Sequence, residues 1–170
     1  MYKLLKGYTG FTLIELLVTI AVISVLIGIA IPNFTAIIQS NRLSTCANDL
    51  VTALNFARSE AIKRITRVTV TQNGGDWSKG WVIDVQDPLP ATTTTMIRTQ
   101  VNNYQSITVK SDANVAQYIS FTATGESQLT NLGLQTGTIK FCDNRSGNVG
   151  INLTINPTGR VSTQNKVSCP

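Results

Sequence analysis

Glu15 is the residue whose setting most demands a chemical explanation. It lies four residues after Phe11 in "GFTLIELLVTIAVISVLIGIAIPNF". From Phe11 to Ile31 the other residues are apolar except Thr12, Thr19, Ser24 and Gly28. A carboxylate inside such a run is costly in a bilayer, and it calls for a cation. Elsewhere the chain is poor in reactive groups. It has no His, which removes the commonest general base and metal ligand. Its three cysteines, Cys46, Cys142 and Cys169, form no C-x-x-C pair, so no zinc site is expected. Ser59 and Glu60 in "NFARSEAIKR" read as a solvated helix face, with Glu60 paired to Lys63 or Arg64. No nucleophile–base pair is evident. The chain is therefore expected to be no enzyme and to carry no cofactor or metal.

The elements that hold these residues follow from periodicity. The run from Phe11 to Ile31 would make roughly 31 Å of helix, about the thickness of the hydrocarbon core. Lys3 and Lys6 precede it, which places the start in the cytoplasm and the remainder outside. A cleavable secretory signal would have a shorter apolar region and a small-residue cleavage site. Here the run passes through "IAIPNF" into a second periodic segment. In that segment Leu43, Ala47, Leu50, Leu54, Ala57, Ala61 and Ile65 recur at spacings of three and four, one helical stripe. One helix is expected from about Phe11 to Ile65, kinked at Pro32, which lacks a backbone donor. Cys46 sits beside the stripe, as a small buried residue or a free thiol.

"KGYTGFTLIELLVTIAVISVLIGIAIPNF" resembles the class III signal and N-terminal helix of type IV pilins and pseudopilins. The resemblance implies that a prepilin peptidase cuts between Gly10 and Phe11 and methylates the new N-terminus, giving N-methylphenylalanine. Glu15 falls on the family's characteristic Glu. At a spacing of four it shares a helix face with the new amine, near the favourable end of the macrodipole. The resemblance implies that its partner in a filament is the N-terminal amine of a neighbouring subunit. Residues 1–10 would then be the leader, 11–32 the transmembrane and filament-core half of the helix, 33–65 its amphipathic half, and 66–170 a globular head.

From Thr66 the period changes to two. "TRVTVTQ" alternates and "NGGD" is a turn signal. "WSKGWVIDV", "TMIRTQ", "SITVKS", "QYISFTATG", "TGTIKF" and "GINLTINPTGRVST" complete six to eight short strands. "DPLPATTTT" (87–95) reads as an exposed loop. The expected fold class is α+β: a pilin-like fold in which one long N-terminal helix packs on a β-rich head of two antiparallel sheets. Abundant Ser, Thr, Asn and Gln suit an extracytoplasmic surface. "ARSEAIKRITRVTV", "DWSKGWVIDV", "YISFTATG" and "INPTGRVST" resemble, in order, the GspH/FimT branch of minor pilins and pseudopilins. Trp81 is expected in the core, and Gly125 and Gly159 at turns. Cys142 and Cys169 bracket the last strands, compatible with a disulfide in an oxidising periplasm.

The formal net charge is +5, and +3 without residues 1–10. The C-terminal end is locally basic. Some FimT-like proteins are associated with DNA uptake, and the resemblance implies a Gly-Arg-x-Arg motif near a basic tail. Here "GRVS" supplies Gly159 and Arg160, with Ser162 in place of the second Arg. Arg160, Lys166, Arg145 and Lys140 are the candidate phosphate contacts, for weak and sequence-blind binding of double-stranded DNA. The leading expectation is a minor pilin of a type IV pilus, in or priming the filament tip. It would be held in the inner membrane with a cytoplasmic N-terminus and periplasmic head, then moved to the pilus among other pilins. The alternatives are a pilus-borne DNA receptor for transformation and a minor pseudopilin of a type II secretion system.

Overall fold

The computed structural model describes residues 10–86, 94–101, 104, 106–145, 147 and 149–169. The expected leader 1–10, apart from Gly10, and most of the Pro- and Thr-rich stretch 87–95 therefore lie outside the described residues. The chain divides into two compact units, one ending at Ile38 and one starting at Gln39.

Helix α1 (Leu13–Arg64) runs through both units and continues through Pro32. Its start is set by a capping box. The Thr12 hydroxyl accepts from the Glu15 backbone N–H (3.3 Å), while the Glu15 carboxylate accepts from the Thr12 backbone N–H (2.9 Å). This explains why the helix begins at Leu13 rather than Phe11. In the first unit α1 is apolar all round, and Leu13, Ile14, Leu16, Leu17, Val18 and their successors are exposed. It is long and apolar enough to cross a membrane. The Thr19 and Ser24 hydroxyls donate to the carbonyls of Leu16 (2.8 Å) and Ile20 (2.7 Å). They are thus satisfied within the helix, as an apolar surround requires.

In the second unit α1 presents a stripe of Leu43, Ala47, Leu50, Leu54, Ala57 and Ala61, all buried, joined by Cys46 and Ala53. Ile65, the expected last member, is a correction: it is 80% exposed. The helix has already ended at Arg64. Thr66 N–H bonds back to Ala61 C=O (3.2 Å) and Ile65 N–H to Ile62 C=O (3.4 Å), closing a Schellman cap. That cap forces Ile65 to a φ of 54° and turns its side chain off the stripe.

Eight strands follow among the described residues: β1 (Val68–Asn73), β2 (Asp76–Gln86), β3 (Thr94–Val101), β4 (Ile107–Ser111), β5 (Tyr118–Phe121), β6 (Gly137–Asp143), β7 (Gly150–Ile155) and β8 (Val161–Val167). They form two four-stranded sheets, ordered β3-β2-β1-β5 and β4-β6-β7-β8, with antiparallel pairing throughout. Alternation does the sorting. In β1, Val68 and Val70 face the core; in β7, Ile151, Leu153 and Ile155 do. Trp77 and Trp81 are both buried, and the Trp77 indole N–H donates to Val115 C=O (3.0 Å).

Two side chains that sequence gave no reason to single out organise the segment between β5 and β6. Gln135 is fully buried; its Oε1 accepts from Ser120 N–H (2.9 Å), and its Nε2 donates to Asn114 C=O and Tyr118 C=O (both 2.8 Å). The Arg67 guanidinium donates to Gln128 Oε1 (2.6 Å) and Leu129 C=O (3.2 Å).

Candidate functional site

Three groups of residues were expected to matter, and they fall in different places. The first is the head of α1. Phe11 is 87% exposed and precedes the cap. The Glu15 carboxylate accepts from the Thr12 N–H and hydroxyl, both through Oε2 at 2.9 Å. A carboxylate has about four acceptor positions, so capacity remains for an external cation. The acid is thus doing local work that its charge alone did not announce. The sequence signal was present: T-x-x-E before an apolar run is a capping box.

The second group is the cysteines. Cys142 on β6 and Cys169 form a disulfide with a Cα–Cα distance of 5.9 Å. The tail reaches β6 by passing over Gly150 of β7. A Cβ there would lie 2.6 Å from Cys169 Sγ, so only glycine leaves room. Cys46 is buried and free. Burial, then the nearby charges of Asp49 and Asp76, push its thiol up to about 12, so it stays protonated and unreactive at neutral pH. Among the described residues no group of three His, Cys, Asp or Glu could hold a metal ion.

The third group is the basic set. Arg145 is committed to structure: its backbone N–H (3.0 Å), Nε (2.8 Å) and Nη2 all donate to the Asp143 carboxylate, and Nη1 donates to Ser40 Oγ (3.1 Å). Burial raises the Asp143 carboxyl, but these bonds together outweigh it and hold it below the usual carboxylate range. Arg160 is exposed just before β8, and Lys166 is exposed near its far end, about 20 Å away at 3.3 Å per residue. Lys166 is an unpaired bulge residue with φ 60°, between the pairs Ile151–Asn165 and Gly150–Val167. Lys140 lies two strands away on β6. Arg145 and Lys166 line one open cavity of about 310 Å³ with Ser40 and Asn165; Arg160 and Lys140 do not line it.

Gly159 has a packing role beyond its turn. At φ 74° its Cα faces the carbonyl of Gly125, where a Cβ would lie 2.0 Å from the oxygen. Arg58 of α1 pins both turns, donating to Gly125 C=O (2.9 Å) and Thr158 C=O (3.0 Å). The glycine of "GRVS" is thereby accounted for by close approach.

An exposed apolar helix opening on a Thr–Glu cap, and a helix packed on two antiparallel sheets with a disulfide-tied tail, define a pilin-like protein. The model of the family described as "Type II transport protein GspH" matches residues 47–159. The prokaryotic N-terminal methylation motif matches residues 5–31. The chain belongs to the GspH family of pilin-like proteins. Its fold is that of the type IV minor pilin FimU of Pseudomonas aeruginosa, seen in two crystal forms. One is 23% identical with a TM-score of 0.61, covering 78% of this chain and 95% of that one. The other is 23% identical with a TM-score of 0.58, covering 75% and 97%. No curated protein matches the sequence.

Proposed function

We propose that this chain is a minor pilin, cut between Gly10 and Phe11, methylated at Phe11 and built into a type IV pilus as a structural subunit. The observation that carries this reading is the first unit of α1. Its large apolar residues are exposed among the described residues, and its one acid sits a turn from the residue that cleavage would make N-terminal. In a membrane that acid lacks a counter-ion; in a filament a neighbour's new amine supplies one. Leader removal and assembly are then chemically linked. The oxidised head suits a life outside the cytoplasm.

A minor pseudopilin of a secretion machine would use the same helix, and the description of the matched family favours that second reading. Shearing separates the two. Filaments sheared from the cell surface should contain the chain, with an N-terminal peptide that begins at methylated Phe11. Retention of the processed chain in the envelope, absent from sheared filaments, would assign it to secretion. Recovery of the chain with residues 1–10 still attached would remove both readings.

A further inference from the structure

Strand β8 leaves one edge of its sheet without a partner among the described residues. It is the last strand of β4-β6-β7-β8 and pairs with β7. The Asn156 N–H donates to Arg160 C=O (3.1 Å), which sets the phase of the ladder. Counting in twos from that pair, Ser162 and Gln164 exchange bonds with Thr154 and Asn152. The N–H and C=O groups of Val161, Thr163 and Asn165 then point away from β7. Pairing is regular over residues 161–165, up to the Lys166 bulge, about 17 Å of open ladder at 3.4 Å per residue. The far end of the edge is fixed: Cys169 is tied to Cys142, and Ser168 C=O accepts from Lys140 Nζ (3.4 Å). A strand held in this way loses little freedom when another strand joins it.

Beside the edge, between β8 and α1, lies the open cavity of about 310 Å³. Buried Leu43 of α1 and Ile151 of β7 give it an apolar floor, and Ser44 of α1 with Asn165 and Lys166 of β8 form its rim. Asn165 stands opposite Ile151, so the residue of an added strand that faces Asn165 falls on the cavity side. No acid lines the cavity. Arg145 is matched by Asp143, whereas Lys166 forms no ion pair among the described residues. A second copy is a poor occupant. In an antiparallel pair centred on Thr163 it would set Lys166 opposite Arg160, two like charges, and β8 carries no acid to offset them. A glutamate fits the space: its methylenes cover Leu43 and Ile151, and its carboxylate meets Lys166.

We propose that the β8 edge takes up an extended, acidic segment of a partner protein as an added strand, with a glutamate side chain in the cavity against Lys166. The site lies wholly on the head and stands whether the chain serves a pilus or a secretion machine.

The test is solvent exchange of backbone amides in the nitrogen-15-labelled full-length chain in dodecyl maltoside micelles, with the blocked heptapeptide TVTETVT as the probe. Its valines and glutamate share one face when it is extended. At twice its Kd two thirds of the edges are filled, so exchange at Thr163 and Asn165 should slow about threefold. Ser162 and Gln164, already bonded to β7, should not change. Methylating the valine and glutamate nitrogens of the probe removes the donors that face β8 and should abolish the slowing. TVTQTVT should bind about threefold more weakly, the worth of an exposed ion pair. Lys166→Asn, which suits the left-handed backbone of the bulge, should erase that difference between the two probes. Thr163→Pro removes one edge donor, is tolerated at an edge, and should abolish slowing at Asn165. Equal slowing by the methylated probe would overturn strand addition, as would no slowing with TVTETVT in large excess. Equal binding of TVTETVT and TVTQTVT would overturn the acidic occupant. Slowing that grows with chain concentration and needs no probe would assign the edge to a second copy instead.

Discussion

Asp143 and Arg145 give the head its clearest pH dependence. The Asp143 carboxyl is lowered in the folded state, because bonds from Arg145 outweigh its burial. A depressed carboxylate stabilises the fold above its unfolded value near 4, and that contribution disappears as pH falls through the folded value. The unfolding midpoint of the head should therefore fall as pH drops below about 4. Asp143→Asn should flatten that acid limb and cost roughly 2 kcal/mol at pH 7, less than a fully buried pair would cost because Arg145 is 23% exposed. Urea melts at several pH values would show it; an unchanged acid limb in the variant would contradict the assignment. Sequence exposed some of this scale and hid the rest. Cys142 and Cys169 could be paired from their positions around the last strands, and Glu60–Lys63 and Glu60–Arg64 from helical spacing. Arg67 and Gln135 could not be read, because their partners are carbonyls and amides brought near only by the tertiary fold. Arg145 looked like a free cation because it lies two residues past the end of β6, in a bend where strand periodicity no longer says which side chains share a face.

At the scale of elements, apolar periodicity carried most of the information. The stripe from Leu43 to Ala61 is buried as its spacing requires, and the period-two segments after Thr66 are strands. Ile65 shows where periodicity stops being a guide. It continues the spacing, but the helix ends one residue before it, and no glycine marks the end. A β-branched residue at φ 54° is strained. Glycine at that position should therefore raise stability by about 1 kcal/mol, the left-handed penalty less the added chain entropy. Thermal unfolding of Ile65→Gly would measure it; a lower midpoint would mean that the exposed Ile side chain makes a compensating contact. Sheet order was beyond the sequence, because β1 pairing with both β2 and β5 depends on the long-range packing of the head.

At the scale of the whole molecule, the tail is the piece most dependent on a covalent tie. β8 is exposed on both faces over residues 162–166 and, among the described strands, pairs with β7 alone. The Cys142–Cys169 bond, across a separation of 27 residues, should contribute about 3.5 kcal/mol in the chain-entropy account. Reduction should release Ser168 from Lys140 and lower the melting temperature of the head; an unchanged melting temperature would show that the tail is held by its other contacts. What a sequence could say about the molecule as a subunit was concentrated in "GFTLIE". It gave the junction and the acid, but the capping box separates two roles for Glu15 that its charge had merged. Gln at that position still caps a helix, yet it cannot pair with an amine as a charge. The most direct measurement is therefore the amount of Glu15→Gln chain in sheared filaments beside wild type and Glu15→Ala, with leader cleavage followed in the same cells. If Glu15 serves a neighbour's amine, both variants are cleaved between Gly10 and Phe11 and neither enters filaments. If Glu15→Gln enters filaments as wild type does, the acid is a helix cap alone, and the link between cleavage and assembly is contradicted.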